Sequence, residues 1–198
     1  MNRPNRLRDL LCIGLSVLAL SACRSGATRL HSLIILPSAH GIVRYTGPQV
    51  RVDAVHLPAD MDRAEITTRT AAGRLEIHDF DHWGAPLSKM ARETLAADLI
   101  TRLPSGKVIV APLEKPEGAL GLNVVILQFS PDSVGPRFLA SWQANAGRSS
   151  AGESKLITLK SDPADTPSEV ASSLSELLAQ LADHIATQLS TSETSPSP

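Results

Sequence analysis

The chain has 198 residues, with 19 Lys and Arg against 20 Asp and Glu, a formal net charge of −1 and 42% hydrophobic residues. That near-neutral balance carries no basic footprint for a nucleic-acid partner. Its two cysteines are Cys12 and Cys23, so the chain beyond Cys23 has no thiol for a disulfide, a thiolate metal site or a cysteine nucleophile.

The first segment is basic and then apolar. Arg3, Arg6 and Arg8 precede an apolar core, Leu10 to Leu20, of about 11 residues, within the range of a secretory signal. A membrane-crossing helix needs about 20 apolar residues, so this segment is too short to anchor the protein by itself. Leu20-Ser21-Ala22-Cys23 reads as a bacterial lipobox, which makes Cys23 the lipidated first residue of the mature chain. Its thiol would carry a diacylglyceryl group and its freed amine a further acyl chain, each buried methylene contributing about 0.8 kcal/mol to membrane binding. The alternative is an ordinary signal with a chance cysteine at the cleavage point. In enterobacterial lipoproteins an aspartate after the cysteine retains the protein at the inner membrane; Arg24 stands there instead, which favours the outer membrane. Residues 1–22 are thus expected to be a signal peptide and 23–31 the lipidated cysteine and tether. A single domain is expected over 32–190, and a disordered tail over 191–198.

Ser32 to Leu36 is an apolar run ended by Pro37 and predicts a first strand. Val50, Val52 and Ala54 alternate with Arg51 and Asp53, the period of a strand with one buried face. Glu65 to Arg69 and Arg74 to His78 flank Thr70 to Gly73 and predict a hairpin. From Pro86, the residues Leu87, Met90, Ala91, Leu95, Leu99 and Leu103 recur at helical spacing, with Arg92, Glu93 and Asp98 expected mostly off the apolar stripe. Pro104-Ser105-Gly106 stops this helix, and Lys107 to Ala111 reads as a strand.

Leu122 to Ser130 and Arg137 to Asn145 are long β-rich runs that should pair antiparallel across Pro131 to Pro136, placing Phe138, Ala140, Trp142 and Ala144 on a covered face. Lys155 to Lys160 adds a last strand. Thr166-Pro167-Ser168-Glu169 has the form of a capping box, and the helix it opens carries Val170, Leu174, Leu177, Leu178, Leu181, Ile185 and Leu189 on one stripe. The sum is an α+β fold: a mostly antiparallel mixed sheet of six or seven strands with two amphipathic helices packed on it.

One ordered series of motifs resembles a known family. Val-x-Val is followed by Leu57-Pro58-Ala59-x-Met61-Asp62-Arg63, then Ile66-x-Thr68-Arg69, Arg74-Leu75-Glu76, and Phe80-x-x-Trp83-x-x-Pro86-Leu87. The series resembles the PqiC/YmbA-type ABC-transport auxiliary lipoproteins, the membrane integrity-associated transporter subunits. It continues more weakly through Phe129, Trp142 and the C-terminal helix, and the lipobox at Cys23 fits it. Ala64 replaces the family's usual proline, and His31 or Ser32 the usual aromatic before the first strand. The resemblance implies a non-enzymatic outer-membrane lipoprotein that faces the periplasm and needs no cofactor. Its implied partners are a PqiB-like MCE-domain tunnel protein and the inner-membrane components of that system, which is thought to carry lipids between the two membranes. It also implies assembly into a cyclic homo-oligomer.

Asp60, Asp62 and Glu65 form one acidic cluster and Asp79, Asp81 and His82 a second, with His78 and His82 four residues apart. An oxygen-ligand site needs a loop that wraps carboxylates around one ion, and no such loop motif is present. The two histidines would need a continuous helix, whereas their segment reads as the end of a strand and the approach to Pro86. Solvated or turn-capping acids are the expectation. No G-x-S-x-G, Walker A or G-x-G-x-x-G motif occurs, so an ATPase would be another chain. Phe80 and Trp83 read either as a partner hot spot or as a plug between strand and helix, with the plug favoured. Arg63 and Arg69 read as partners of carboxylates such as Glu65 or Glu76. Two further functions stay open at this level: a lipid-anchored periplasmic enzyme using the acidic clusters, and a stand-alone structural lipoprotein of the envelope.

Overall fold

The computed structural model describes residues 26–69, 74–130, 137–146, 155–160, 162 and 164–192. The lipobox with Cys23, the signal segment, the connections Thr70 to Gly73 and Pro131 to Pro136, and the tail beyond Ser192 lie outside them. In chain order the elements are β1 (Arg29–His31), β2 (Val50–His56), β3 (Glu65–Arg69), β4 (Leu75–Trp83), α1 (Leu87–Ile100), β5 (Val108–Ile109), β6 (Leu120–Ser130), β7 (Arg137–Ala146), β8 (Lys155–Leu159) and α2 (Pro167–Ser192). The α+β class with two helices is as expected. The strands divide between two mixed sheets, one of three strands ordered β1-β4-β3 and one of five ordered β5-β2-β6-β7-β8. Both hairpins are antiparallel, as is the β7–β8 pair, whereas β1 runs parallel to β4 and β2 runs parallel to both β5 and β6.

The first strand is not where the apolar run placed it. β1 is Arg29–His31, inside the segment read as a tether, and Ser32 to Leu36 forms no strand. Only Leu33 of that run is buried among Leu33, Ile34 and Ile35. The run's backbone turns instead to helix side chains: Ile34 N–H donates to Ser175 Oγ at 3.1 Å and Leu36 N–H to Asp98 Oδ1 at 2.9 Å. It is a strap across the two helices, and because side chains satisfy its donors it needs no sheet partner.

The remaining differences have local causes. A bulge between Val52 and Ala54 shifts the register of β2 against β6, so Val55 rather than Ala54 returns to the core. Gly121, which pairs with Arg51 just before this bulge, leaves room for an ion pair: a Cβ there would collide with the Asp53 carboxylate and the Lys115 ammonium. β4 runs on to Trp83, so Phe80 and Trp83 lie within the strand rather than beyond it. α1 starts at Leu87 with Pro86 at its cap position, and it ends at Ile100. β5 is cut to Val108–Ile109 because it pairs only with Val50 and Arg51 at the start of β2. The capping box of α2 forms as expected. Glu169 N–H donates to Thr166 Oγ1 at 3.3 Å, and the Glu169 carboxylate accepts from the backbone N–H groups of Thr166 and Asp165. Thr191 and Ser192, read as the start of the tail, belong to this helix.

The core is one cluster. Leu174, Leu177, Leu178, Leu181 and Ile185 of α2 and Leu87, Leu95 and Leu99 of α1 meet Val50, Val52, Leu122, Val124, Ile126, Phe138, Ala140 and Trp142 from the five-stranded sheet. Ile66 joins it from the three-stranded sheet. Lys155 Nζ lies 5.5 Å from the centre of the Trp142 ring, and His184 meets that ring edge-on at 6.4 Å. Among the described residues no helix is long and apolar enough to cross a membrane.

Candidate functional site

The motif residues converge in space around Asp62 and the start of α1. Two open grooves share Asp62 in their walls. One, of about 360 Å³, runs between the end of β2, with His56 and Leu57, and Ser88, Lys89 and Arg92 of α1. The other, of about 380 Å³, lies between Arg63 and Ala64 on one side and Trp83, Pro86 and Leu87 on the other. The loop that carries Asp62 is held by turn bonds. Met61 and Asp62 both donate their backbone N–H to the Pro58 carbonyl, and Trp83 N–H donates to the Ala64 carbonyl at 2.8 Å. Leu57, Asp62, Arg63, Trp83 and Pro86, scattered over some thirty positions, thus line one shallow surface of mixed polarity. Behind it, a cleft floored by Met61, Trp83, Leu87, Phe129 and Val170 encloses only about 20 Å³. That holds about one water and falls far below the 300–1,000 Å³ of a typical small-molecule pocket.

Three acids of the two clusters are drawn into separate ion pairs. Asp60 is paired with Arg69 at 2.6 Å across the mouth of that cleft, and Glu65 is paired with Arg63 at 2.9 Å. The Glu65 carboxyl is lowered from its ordinary value, first by a backbone N–H and then by Arg63. Arg69 therefore takes Asp60 rather than the Glu65 or Glu76 that its sequence position suggested. In the second cluster, Asp81 turns inward and is nearly buried, accepting from Arg29 Nε and His31 Nε2 at 2.8 Å each. Those bonds, Arg29 first, lower its pKa to about 2. His82 Nε2 donates to the Asp79 carbonyl at 3.0 Å, and His78 shares a 3.0 Å hydrogen bond with Thr68 Oγ1. Among the described residues no group of three or more His, Cys, Asp or Glu is placed to hold a metal ion.

The aromatic pair splits. Trp83 is buried at 7% exposure, as a plug should be, whereas Phe80 is 45% exposed on the other face of β4.

A second ionic centre escaped the sequence reading. Asp98, expected off the apolar stripe of α1, is completely buried, and so nearly is Arg102. Arg102 Nε and Nη2 donate to the two oxygens of Asp183 on α2 at 2.7 and 3.2 Å, while its Nη1 donates to the carbonyls of Leu36 and Asp98 and to Thr101 Oγ1. Ser38 Oγ donates to Asp183 Oδ1 at 3.0 Å. This clasp joins α1, α2 and the strap. The four-residue spacing of Asp98 and Arg102 was its one signal in the sequence, but no local pattern points to Asp183. Burial raises the Asp98 carboxyl to about 6, against the opposing pull of the Leu36 N–H and Arg102. Its Oδ2 has no hydrogen-bond partner. Asp98 and Arg102 are shut away from solvent, with only Asp183 partly exposed, and the clasp ties the two helices and the strap together.

Comparison with known proteins gives three findings. A family model described as the ABC-type transport auxiliary lipoprotein component matches residues 35–186. No curated protein matches the chain. Among solved structures, an uncharacterized protein is similar at a TM-score of 0.67 and 19% identity, covering 83% of this chain and 99% of that one. A protein from Xanthomonas campestris is similar at a TM-score of 0.61 and 16% identity, covering 85% and 98%. At these identities the two structures establish a shared fold.

Proposed function

This chain belongs to the family of ABC-type transport auxiliary lipoprotein components, and on that premise we propose that it is the lipid-anchored periplasmic accessory subunit of an MCE/ABC-type lipid-transport system at the outer membrane. The observation that carries the reading is the extent of the family match, which runs from the strap before β2 into the last turns of α2 and so takes in nearly all of the folded domain. The lipobox at Cys23 supplies the anchor, with Arg24 favouring the outer membrane. The geometry supports docking over catalysis. Asp60, Glu65 and Asp81 are each held by a cation, the enclosed cleft is the size of a water, and the motif residues Leu57, Asp62, Arg63 and Pro86 line open grooves around Asp62. That surface suits a protein partner better than a small substrate.

A domain of this size has a radius of gyration of about 16 Å, far too small to reach across the periplasm. It therefore works on a long partner rooted in the inner membrane, for which a PqiB-like MCE-domain tunnel protein is the proposed identity. ATP hydrolysis belongs to a further chain, since no Walker A motif occurs here. The test is affinity purification of the full-length protein from detergent-solubilised envelopes, with mass spectrometry of what accompanies it. An MCE-domain protein together with an ABC permease is the expected company. Recovery of the acylated protein without either one would sink the transport reading and leave a stand-alone lipoprotein.

A further inference from the structure

The outward face of the three-stranded sheet exposes a row of apolar side chains beside polar ones, with Asp60 lying against its Thr67 and Arg69. Ile66 and Thr68 of β3 point into the molecule and are buried, so Glu65, Thr67 and Arg69 point outward. Their register partners on β4 are His82, Ile77 and Leu75, which share that outward side. Phe80, two residues before His82 on the same strand, faces the same way, and so does Leu30 of β1, which lies opposite His82. Leu30, Leu75, Ile77 and Phe80 thus form one stripe, with exposures of 70%, 41%, 48% and 45%.

What covers the stripe is indicated by where the chain enters it. Gly26 lies against Phe80: a Cβ at Gly26 would stand 3.3 Å from the Phe80 ring. Cys23 is three residues before Gly26, and three residues of fully extended chain span at most about 11 Å. An acyl chain on Cys23 is therefore held by covalent geometry close to this same face. β1 is in turn pinned to β4 by Arg29 and His31 on Asp81, so slack is not taken up by peeling the strand away. A tether this short brings Phe80 and its end of the stripe close to the leaflet that holds the lipid and puts the rest of the face within reach of it.

We propose that the outward face of the β1-β4-β3 sheet, with Leu30, Leu75, Ile77 and Phe80, seats the domain on the lipid surface, so that the anchor and the stripe together hold it in one orientation against the bilayer. The proposal rests on the reading of Cys23 as the lipidation site. It makes the three-stranded sheet a second, non-covalent membrane contact: the acyl chains hold the protein at the bilayer, and the apolar stripe sets how the domain sits on it.

The mature chain has no free cysteine once Cys23 is acylated, so an introduced thiol is unique. The full-length protein carrying Ile77→Cys or Phe80→Cys would be purified, labelled with an environment-sensitive fluorophore and reconstituted into phosphatidylethanolamine/phosphatidylglycerol vesicles containing spin-labelled lipid. Leu156→Cys, exposed on the five-stranded sheet, is the control. Quenching at positions 77 and 80 should exceed that at 156 by at least about twofold, as for side chains sunk into the headgroup and acyl boundary. Mass spectrometry of the same preparation reports the acyl groups on Cys23. Equal quenching at all three positions in acylated protein would overturn the membrane seat while leaving the anchor in place. An unmodified Cys23 would overturn both. A signal at 77 and 80 that follows protein density rather than quencher lipid would hand the face to a second copy of the chain, against the proposal.

Discussion

Asp98 buries a carboxylate with only one of its oxygens bonded, and that single residue sets a pH dependence. Its pKa is raised to about 6, so the folded protein holds the proton more tightly than the unfolded chain does. Stability is therefore gained from this group as pH falls and lost as pH rises through about 6. Asp98→Asn keeps an oxygen to accept the Leu36 N–H and removes the charge, while Arg102 stays bonded to Asp183. The variant should be more stable than the parent near pH 7.5, by roughly 1–3 kcal/mol, and the gain should shrink to nothing near pH 4. Thermal unfolding at the two pH values checks it; an equal shift at both would show that charge burial is not the cause. Asp81 works in the opposite sense. Its pKa is lowered to about 2, so its hold on Arg29 and His31 persists above the ordinary carboxylate range and is lost only as pH falls toward 2. Amide hydrogen exchange should find β1 loosened in Asp81→Asn at neutral pH, with the helices unchanged.

At the scale of the elements, α2 was legible from its cap to Leu189 because everything that specifies that stretch is local: a capping box, a proline in the first turn and a leucine stripe. Thr166→Ala removes the hydroxyl that accepts the Glu169 N–H and should cost about 1 kcal/mol in chemical denaturation. A loss within error would mean that the cap is frayed in solution. The strands were legible in proportion to their length. β6 and β7 declare themselves by alternation, whereas the three residues of β1 are too few to show a period. The apolar run beside β1 masks it, since a strap that buries only Leu33 of its four apolar residues still looks like a strand in composition. The bulge in β2 has no local mark either. Its trace is Gly121 on the neighbouring strand, where Gly121→Ala should force the Asp53–Lys115 pair apart and lower stability measurably.

For the molecule as a whole, the family places this domain among transport auxiliary lipoproteins; if its partner is the proposed tunnel protein, a collar around that tunnel is the simplest way for so small a domain to serve it. Identical heterologous contacts that close into a ring leave no interface unsatisfied. The acylated protein in detergent, alone or with the tunnel protein's C-terminal part, should therefore scatter light as a cyclic oligomer after size exclusion. A monomer at high concentration under both conditions would defeat the collar. The amino-acid order alone determined the α+β class, both helices, the two antiparallel hairpins and the family, because these rest on short-range periodicity, capping chemistry and motif order. The tertiary structure decided the split into two sheets, the pairing of Asp60 with Arg69, the inward turn of Asp81 and the Asp98–Arg102–Asp183 clasp. It also decided the exposure of Phe80 beside a buried Trp83. Each of these depends on which distant segment comes alongside, and a neighbour supplied from 50 or 81 positions away in the chain leaves no pattern in the residues around either partner.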